Sequence, residues 1–250
     1  MLILLLNDDG YQSVLTTKLR EYLECFGHSV YSFLPDTDNS GASSSISTGK
    51  KIYYKKIREK EFVVCGTPCD CMMVGVQYLK TLNKNVDLVV SGLNLGSNLG
   101  LALRYSGTVN AAQESLEYNI PSIAISKIRE LNYSVEDRLY ILENVVEYMH
   151  KHGRHKGKCF GVNINFVNGK KFQCALEKQY VHYENPLYYM QVEEDFAILK
   201  FRRQTMFKKQ PVRDMVLLEG ICSENVALSR DVINRRIKKL KRIINARIKE

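Results

Sequence analysis

The segment Leu2–Leu6 is apolar at every position and stops abruptly at Asn7-Asp8-Asp9. A strand with one wet face alternates apolar and polar side chains; an unbroken run has no wet face. This segment therefore reads as a central strand of a parallel sheet, covered on both sides. Val86–Ser91 is a further apolar strand, and Ile120–Ser126 and Gly161–Phe166 read as strands too. Between the first run and Val30–Leu34 lie Leu15, Leu19, Leu23 and Phe26, spaced as on a helix and followed by Gly27. Strand, helix and strand in so short a stretch make a βαβ unit.

Continuing the alternation gives helices over 69–81, 108–118 and 135–151, the last with Leu139, Leu142, Val145, Val146 and Met149 on one stripe. Residues 36–45 lack periodicity and form a loop. Residues 50–65, with lysines and tyrosines alternating ahead of Phe62-Val63-Val64, form a hairpin. The fold class is α/β: a Rossmann-like, doubly wound, mostly parallel sheet. After Asn168-Gly169 the apolar runs shorten. A β-rich arm is expected at 170–215 and an amphipathic helix at 230–249, with Ile233, Ile237, Leu240, Ile244 and Ile248 on one face. The chain thus divides into a catalytic core, 1–168, and an arm with a C-terminal helix, 169–250, belonging to the same domain and used in oligomerisation.

The net charge of +9 is uneven. Residues 229–250 hold nine Lys/Arg and two acids, leaving +2 for the rest. A basic tail is read first as the solvated face of a helix, and contact with nucleic acid is the lesser reading. The seven cysteines are odd in number, and Cys65, Cys69 and Cys71 lack a second Cys/His pair at zinc-finger spacing. A chain of 250 residues has a core without disulfide staples. No apolar stretch reaches spanning length, and Met1–Leu6 is too short for a leader. The expectation is a soluble, cytoplasmic protein without membrane contact.

Four polar segments fall at strand ends or helix starts. Asp8 and Asp9 follow the first strand, where adjacent carboxylates repel unless a cation neutralises them. Oxygen ligands suit a hard ion. The alternative use of this pair is a helix N-cap. Asn39–Ser45 supplies hydroxyls and backbone N–H groups. Ser91–Gly100 has glycine at every fourth position, which is neither a dinucleotide fingerprint nor a Walker loop. Asn94 and Asn98 in it offer amide oxygens and N–H₂ donors. Tyr105–Ala112 opens a helix, whose first N–H groups suit an anion.

These segments carry a resemblance. N-D-D-G (7–10), P-D-x-x-x-S-G-A-S (35–43), G-T-P-x-D-C (66–71), S-G-x-N-x-G-x-N-x-G (91–100) and Y-S-G-T-V-x-A-A (105–112) occur in this order in the SurE family of 5′/3′-nucleotidases, which the chain resembles over residues 1–126. The resemblance implies hydrolysis of nucleoside 5′- and 3′-monophosphates with one divalent ion, Mg²⁺ or Mn²⁺, per subunit. It puts the metal on Asp8, Asp9, Ser40 and Asn94, and the phosphate on Gly41, Asn98, Ser106, Gly107 and Thr108. Catalysis would fall to Asp8, Asp9 and Asn94. It further implies a homodimer or homotetramer with exchanged arms.

Asn39 stands where the family often has a basic residue, and Leu101-Ala102 where an acid is common. The family's segment near the C-terminus survives only faintly at Cys222–Ser229. Two other readings accompany the nucleotidase: an exopolyphosphatase or broad phosphatase, and a weakly active protein of the same fold that binds RNA or another polyanion. Asp70 is expected to cap a helix or bind loops, and Cys71 to pack inside that helix.

Overall fold

The computed structural model describes residues 1–98, 100–127, 135–155, 158–159, 161–166, 182–183, 188–192, 197–201, 206–208, 215–219, 238 and 242. The elements in the first half are β1 (Leu2–Leu6), α1 (Val14–Cys25), β2 (Ser29–Pro35), β3 (Tyr54–Arg58), β4 (Glu61–Val64), α2 (Pro68–Thr81), β5 (Leu88–Leu95), a 3-10 turn (Gly100–Arg104), α3 (Gly107–Glu117) and β6 (Ser122–Lys127). Then come α4 (Val135–His152), the short strands β7 (Arg154–His155) and β8 (Lys158–Cys159), and β9 (Gly161–Phe166). The arm contributes β10 (His182–Tyr183), β11 (Tyr188–Val192), β12 (Ala197–Phe201), β13 (Met206–Lys208) and β14 (Met215–Glu219).

Eight strands form one sheet in the order β14-β9-β6-β5-β1-β2-β4-β3. All neighbours are parallel except the β3–β4 hairpin. The fully apolar β1 sits between β2 and β5, where its composition requires it. From β1 the chain moves outward to β2, and later crosses back through α2 from β4 to β5 on the other side of β1. The order reverses between β1 and β5, and a crevice opens there at the carboxyl ends of the strands. Leu6 of β1 is level with Ser91 of β5, so the turn that carries Asp8 follows β1 where β5 is continuing toward Asn94.

Side chains alternate across the sheet. Leu4 and Leu6 join Phe33, Phe62 and the α2 residues Met72, Val76 and Leu79 in one buried cluster. Ile3 and Leu5, equally buried, point to the opposite face. Burying each such side chain stabilises the fold by about 1.5–3 kcal/mol. The Phe33 and Phe62 rings stack at 4.4 Å. A Cβ at Gly75 would meet Leu4 at 2.7 Å and Phe33 at 3.0 Å, so α2 can lie this close only with glycine there. Cys71 lies wholly buried in α2 as expected. His28, after α1, meets Glu143 of α4 at 2.8 Å and fixes α4 to that end of α1.

The sequence reading ends β5 at Ser91; the strand runs on to Leu95. A register shift against β6 between Ser91 and Asn94 accommodates Gly92 at φ +136°, and pairing then resumes. Half of the glycine-rich segment is thus strand rather than loop. In the arm, β11 pairs with β12 and β10 with β13, both antiparallel. β14 then returns to the main sheet beside β9. Lys238 and Arg242 are helical and exposed. The remainder of the expected 230–249 helix, most of the irregular arm and Cys222–Ser229 lie outside the described residues. No described helix is long and apolar enough to cross a membrane.

Candidate active site

The turn after β1 is built by its neighbours. Asn7 is fully buried and its amide donates to the Gly10 carbonyl at 2.8 Å and to the Thr16 hydroxyl at 2.9 Å. Gly10 has φ +86°, and a Cβ there would stand 3.2 Å from the Thr37 backbone. This turn projects Asp8 and Asp9 from the strand end. The N-cap of α1 is Ser13, whose side chain accepts from Thr16, so neither acid serves as its cap.

Asp8 is 4% exposed. Its carboxylate accepts from the Thr108 N–H at 3.1 Å and the Thr108 hydroxyl at 2.5 Å, at the first turn of α3. The positive end of the helix faces the acid. Gly107 makes that approach possible: a Cβ there would meet Asp8 Cβ at 2.8 Å and Pro68 at 3.0 Å. Burial pushes the Asp8 carboxyl above its ordinary pKa, against the Thr108 bonds that hold it down. Asp9 is half-buried, and no described group donates to its carboxylate. Burial first, then the charges of Asp8 and Asp38, raise it to about 6. Among the described residues no side-chain cation offsets the charges of Asp8, Asp9 and Asp38, a condition a bound cation relieves.

The loop after β2 closes over the pair. The Asn39 N–H donates to the Asp8 carbonyl at 2.7 Å. Ser40 is exposed, and its N–H and hydroxyl both donate to Asp38 Oδ1, at 2.8 and 2.7 Å, leaving the hydroxyl lone pairs open. Ser43 ties the loop to the turn before α3 by donating to the carbonyls of Tyr105 and Arg104. Farther along, Asp70 accepts from Ser47 N–H and Oγ and from Thr67 N–H, while Thr67 caps α2 in a capping box. Asp70 therefore joins loop to helix, as its motif suggested. Burial raises its pKa, but the bonds from Ser47 and Thr67 outweigh that and leave it below the usual value.

Asn94 is half-buried; its N–H₂ donates to the Gly96 carbonyl at 2.7 Å, turning its amide oxygen toward other partners. Asn98 is held differently. Its N–H donates to Asn165 Oδ1 at 2.7 Å, its amide to Ser126 Oγ at 2.8 Å, and its carbonyl accepts from Asn163 and Asn165. Ser106 caps α3 by accepting from Val109, and its N–H donates to the Ala102 carbonyl. Gly41 and Gly107 have N–H groups that no described group accepts.

Topology thus brings all nine sequence-derived site residues to one sheet edge or the helix start above it. Sequence reasoning gave no role to Asp38, to Asn7 of the N-D-D-G motif, or to Asn163 and Asn165, whose strand continues the family resemblance only weakly. A signal existed for the last two: Val162-Asn163-Ile164-Asn165 places two amides on one face of an otherwise apolar strand. Among the described residues, no three His, Cys, Asp or Glu side chains gather as a metal cluster. The candidate donor set is two carboxylates with neutral hydroxyl and amide oxygens, which suits a hard divalent ion.

Comparison with known proteins identifies the family. The family model described as "Survival protein SurE" matches residues 3–183. A 5′-nucleotidase SurE from Thermoanaerobacter sp. (strain X514) is 39% identical over 178 residues, covering 68% of this chain and 69% of the relative. The 5′-nucleotidase SurE of Wolbachia pipientis subsp. Culex pipiens (strain wPip) is 42% identical over 130 residues, 51% of this chain and 50% of that one. The crystal structure of a SurE protein from Aquifex aeolicus superposes with TM-score 0.65 at 25% identity, covering 96% of this chain and 100% of that one.

Proposed function

The chain belongs to the SurE family, and from that membership we propose that it hydrolyses nucleoside monophosphates to nucleoside and phosphate at the β1–β5 crevice. The observation that carries the reading is the Asp8–Asp9 pair after β1, Asp8 held against the start of α3 by Thr108 and Asp9 with no described donor.

Asp8, Asp9, Ser40 and Asn94 would hold one Mg²⁺ or Mn²⁺. When bound, such an ion neutralises the phosphate and makes phosphorus more electrophilic. The protein's own groups do the rest. The N–H groups of Gly41 and Gly107 and the hydroxyl of Ser106 are the donors for phosphate oxygens, where charge builds in the transition state. Thr108 and Asn98 act one step back: Thr108 orients Asp8, and Asn98 braces the loop that carries Asn94. Asp9, to which no described group donates, takes the proton of the attacking water. The water oxygen bonds to phosphorus as the ester bond breaks, the nucleoside oxygen takes a proton from solvent, and Asp9 releases its proton to solvent. Assembly as a homodimer or homotetramer through the arm accompanies this reading, and light scattering of the full chain checks it.

The test is phosphate release from a panel of nucleoside 5′- and 3′-monophosphates, with Mn²⁺, with Mg²⁺ and with EDTA. Asp8→Asn should lower turnover by orders of magnitude. Turnover that survives both EDTA and Asp8→Asn would refute the proposal.

A further inference from the structure

The β3 edge of the sheet carries chemistry that the nucleotidase reading does not use. All five β3 residues are exposed. Tyr53 and Tyr54 are 66% and 49% exposed, although aromatic rings normally seek cover. Lys50, Lys51, Lys55 and Lys56 surround them, and among the described residues no acid pairs with any of the four. Glu61 of β4 is occupied by Arg20 at 2.5 Å. Tyr54 is held edge-on against Tyr78 at 5.9 Å, which fixes its ring while leaving much of it in water.

Because β3 runs antiparallel to β4, Tyr54 lies level with Val64, at the carboxyl end of the sheet. The patch therefore occupies the same edge of the sheet as Asp8 and Asp9. Lysines on a bare edge strand oppose pairing with a second copy, since like charges would face one another. That accounts for Lys55 and Lys56 but not for two exposed tyrosines. Unpaired cations interleaved with a fixed aromatic ring match one chemistry well: phosphates along a backbone, with unstacked bases between them.

We propose that Lys50, Lys51, Tyr53, Tyr54, Lys55 and Lys56 form a docking surface for single-stranded nucleic acid. The lysines neutralise phosphates and the tyrosines stack on bases. The surface stands independently of the hydrolytic reading and needs no metal.

The experiment is fluorescence anisotropy of a labelled twelve-nucleotide oligouridylate with the full chain, in EDTA, across a salt series. Wild type should bind with a steep salt dependence. Lys55→Gln/Lys56→Gln should weaken binding and flatten the slope of log K against log salt by about 1.4, at about 0.7 per phosphate contact. Tyr53→Ala/Tyr54→Ala should weaken binding at least about thirtyfold with the slope kept. Melting temperatures of both variants establish that they fold. Inorganic polyphosphate should compete in wild type, and its own affinity should ignore the tyrosine change. Oligouridylate binding unchanged in the lysine variant overturns the surface. Loss in the lysine variant with none in the tyrosine variant makes it a general polyanion patch and overturns the nucleic-acid assignment.

Discussion

Thr108 grips Asp8 twice across 100 residues of chain, the hydroxyl on one carboxylate oxygen at 2.5 Å and the backbone N–H on the other at 3.1 Å. The two contacts fix the acid's orientation and attach α3 to β1. A valine at 108 keeps the shape and removes the hydroxyl, leaving a buried carboxylate oxygen unsatisfied. We expect Thr108→Val to destabilise the fold by about 1–3 kcal/mol in urea denaturation and to reduce phosphate release. Thr108→Ser should restore most of both.

Gly107→Ala separates folding from chemistry. Alanine favours a helix by about 1 kcal/mol over glycine, yet its methyl group would press on Asp8 and Pro68. The expected outcome is a small change in melting temperature with a loss of turnover well beyond it. Unchanged kinetics would show that α3 can retreat without moving the acid.

Asp70 connects the 45–49 segment to α2 through Ser47 and Thr67. Its folded pKa lies below the ordinary 3.8. Its contribution is therefore complete above that value and disappears as pH falls through the folded pKa. Asp70→Asn should cost about 1–3 kcal/mol at neutral pH, and the gap from wild type should close in acid. Denaturation at several pH values measures this.

Asp9 has the opposite sign. With its folded pKa raised to about 6, the native state holds a proton that the unfolded chain has released. The metal-free protein should lose stability as pH rises from near 4 through 6. Mn²⁺ should raise the melting temperature more at pH 7.5 than at pH 5, where protons compete for the site. Asp9→Asn should reduce the pH slope to the share that Asp8 contributes and remove most of the Mn²⁺ shift.

The sheet was legible because buried parallel strands leave unbroken apolar runs, and Leu2–Leu6 could occupy only the middle. The candidate site could be proposed from sequence because its segments follow a strand or open a helix. What the sequence hid were partnerships between distant segments. Nothing near Asn98 announces that its N–H and carbonyl are claimed by Asn163 and Asn165, more than 60 residues away. Ser106 and Thr108 look alike as phosphate donors, yet one caps its own helix and the other serves Asp8. Asp38 looks like an ordinary loop acid until the fold sets it beside the pair.

The return of β14 to the far side of β9 has a bearing on the order of events during synthesis. Every group proposed for the chemistry lies between Asp8 and Thr108, and the strands that position them, β9 with its Asn163 and Asn165 included, are complete by Phe166. A ribosome has therefore released the whole reaction centre before it reaches the residues that close the sheet. Until Met215–Glu219 emerges, β9 presents an unguarded margin to its surroundings, and that interval is when the nascent chain is most open to pairing with the wrong neighbour.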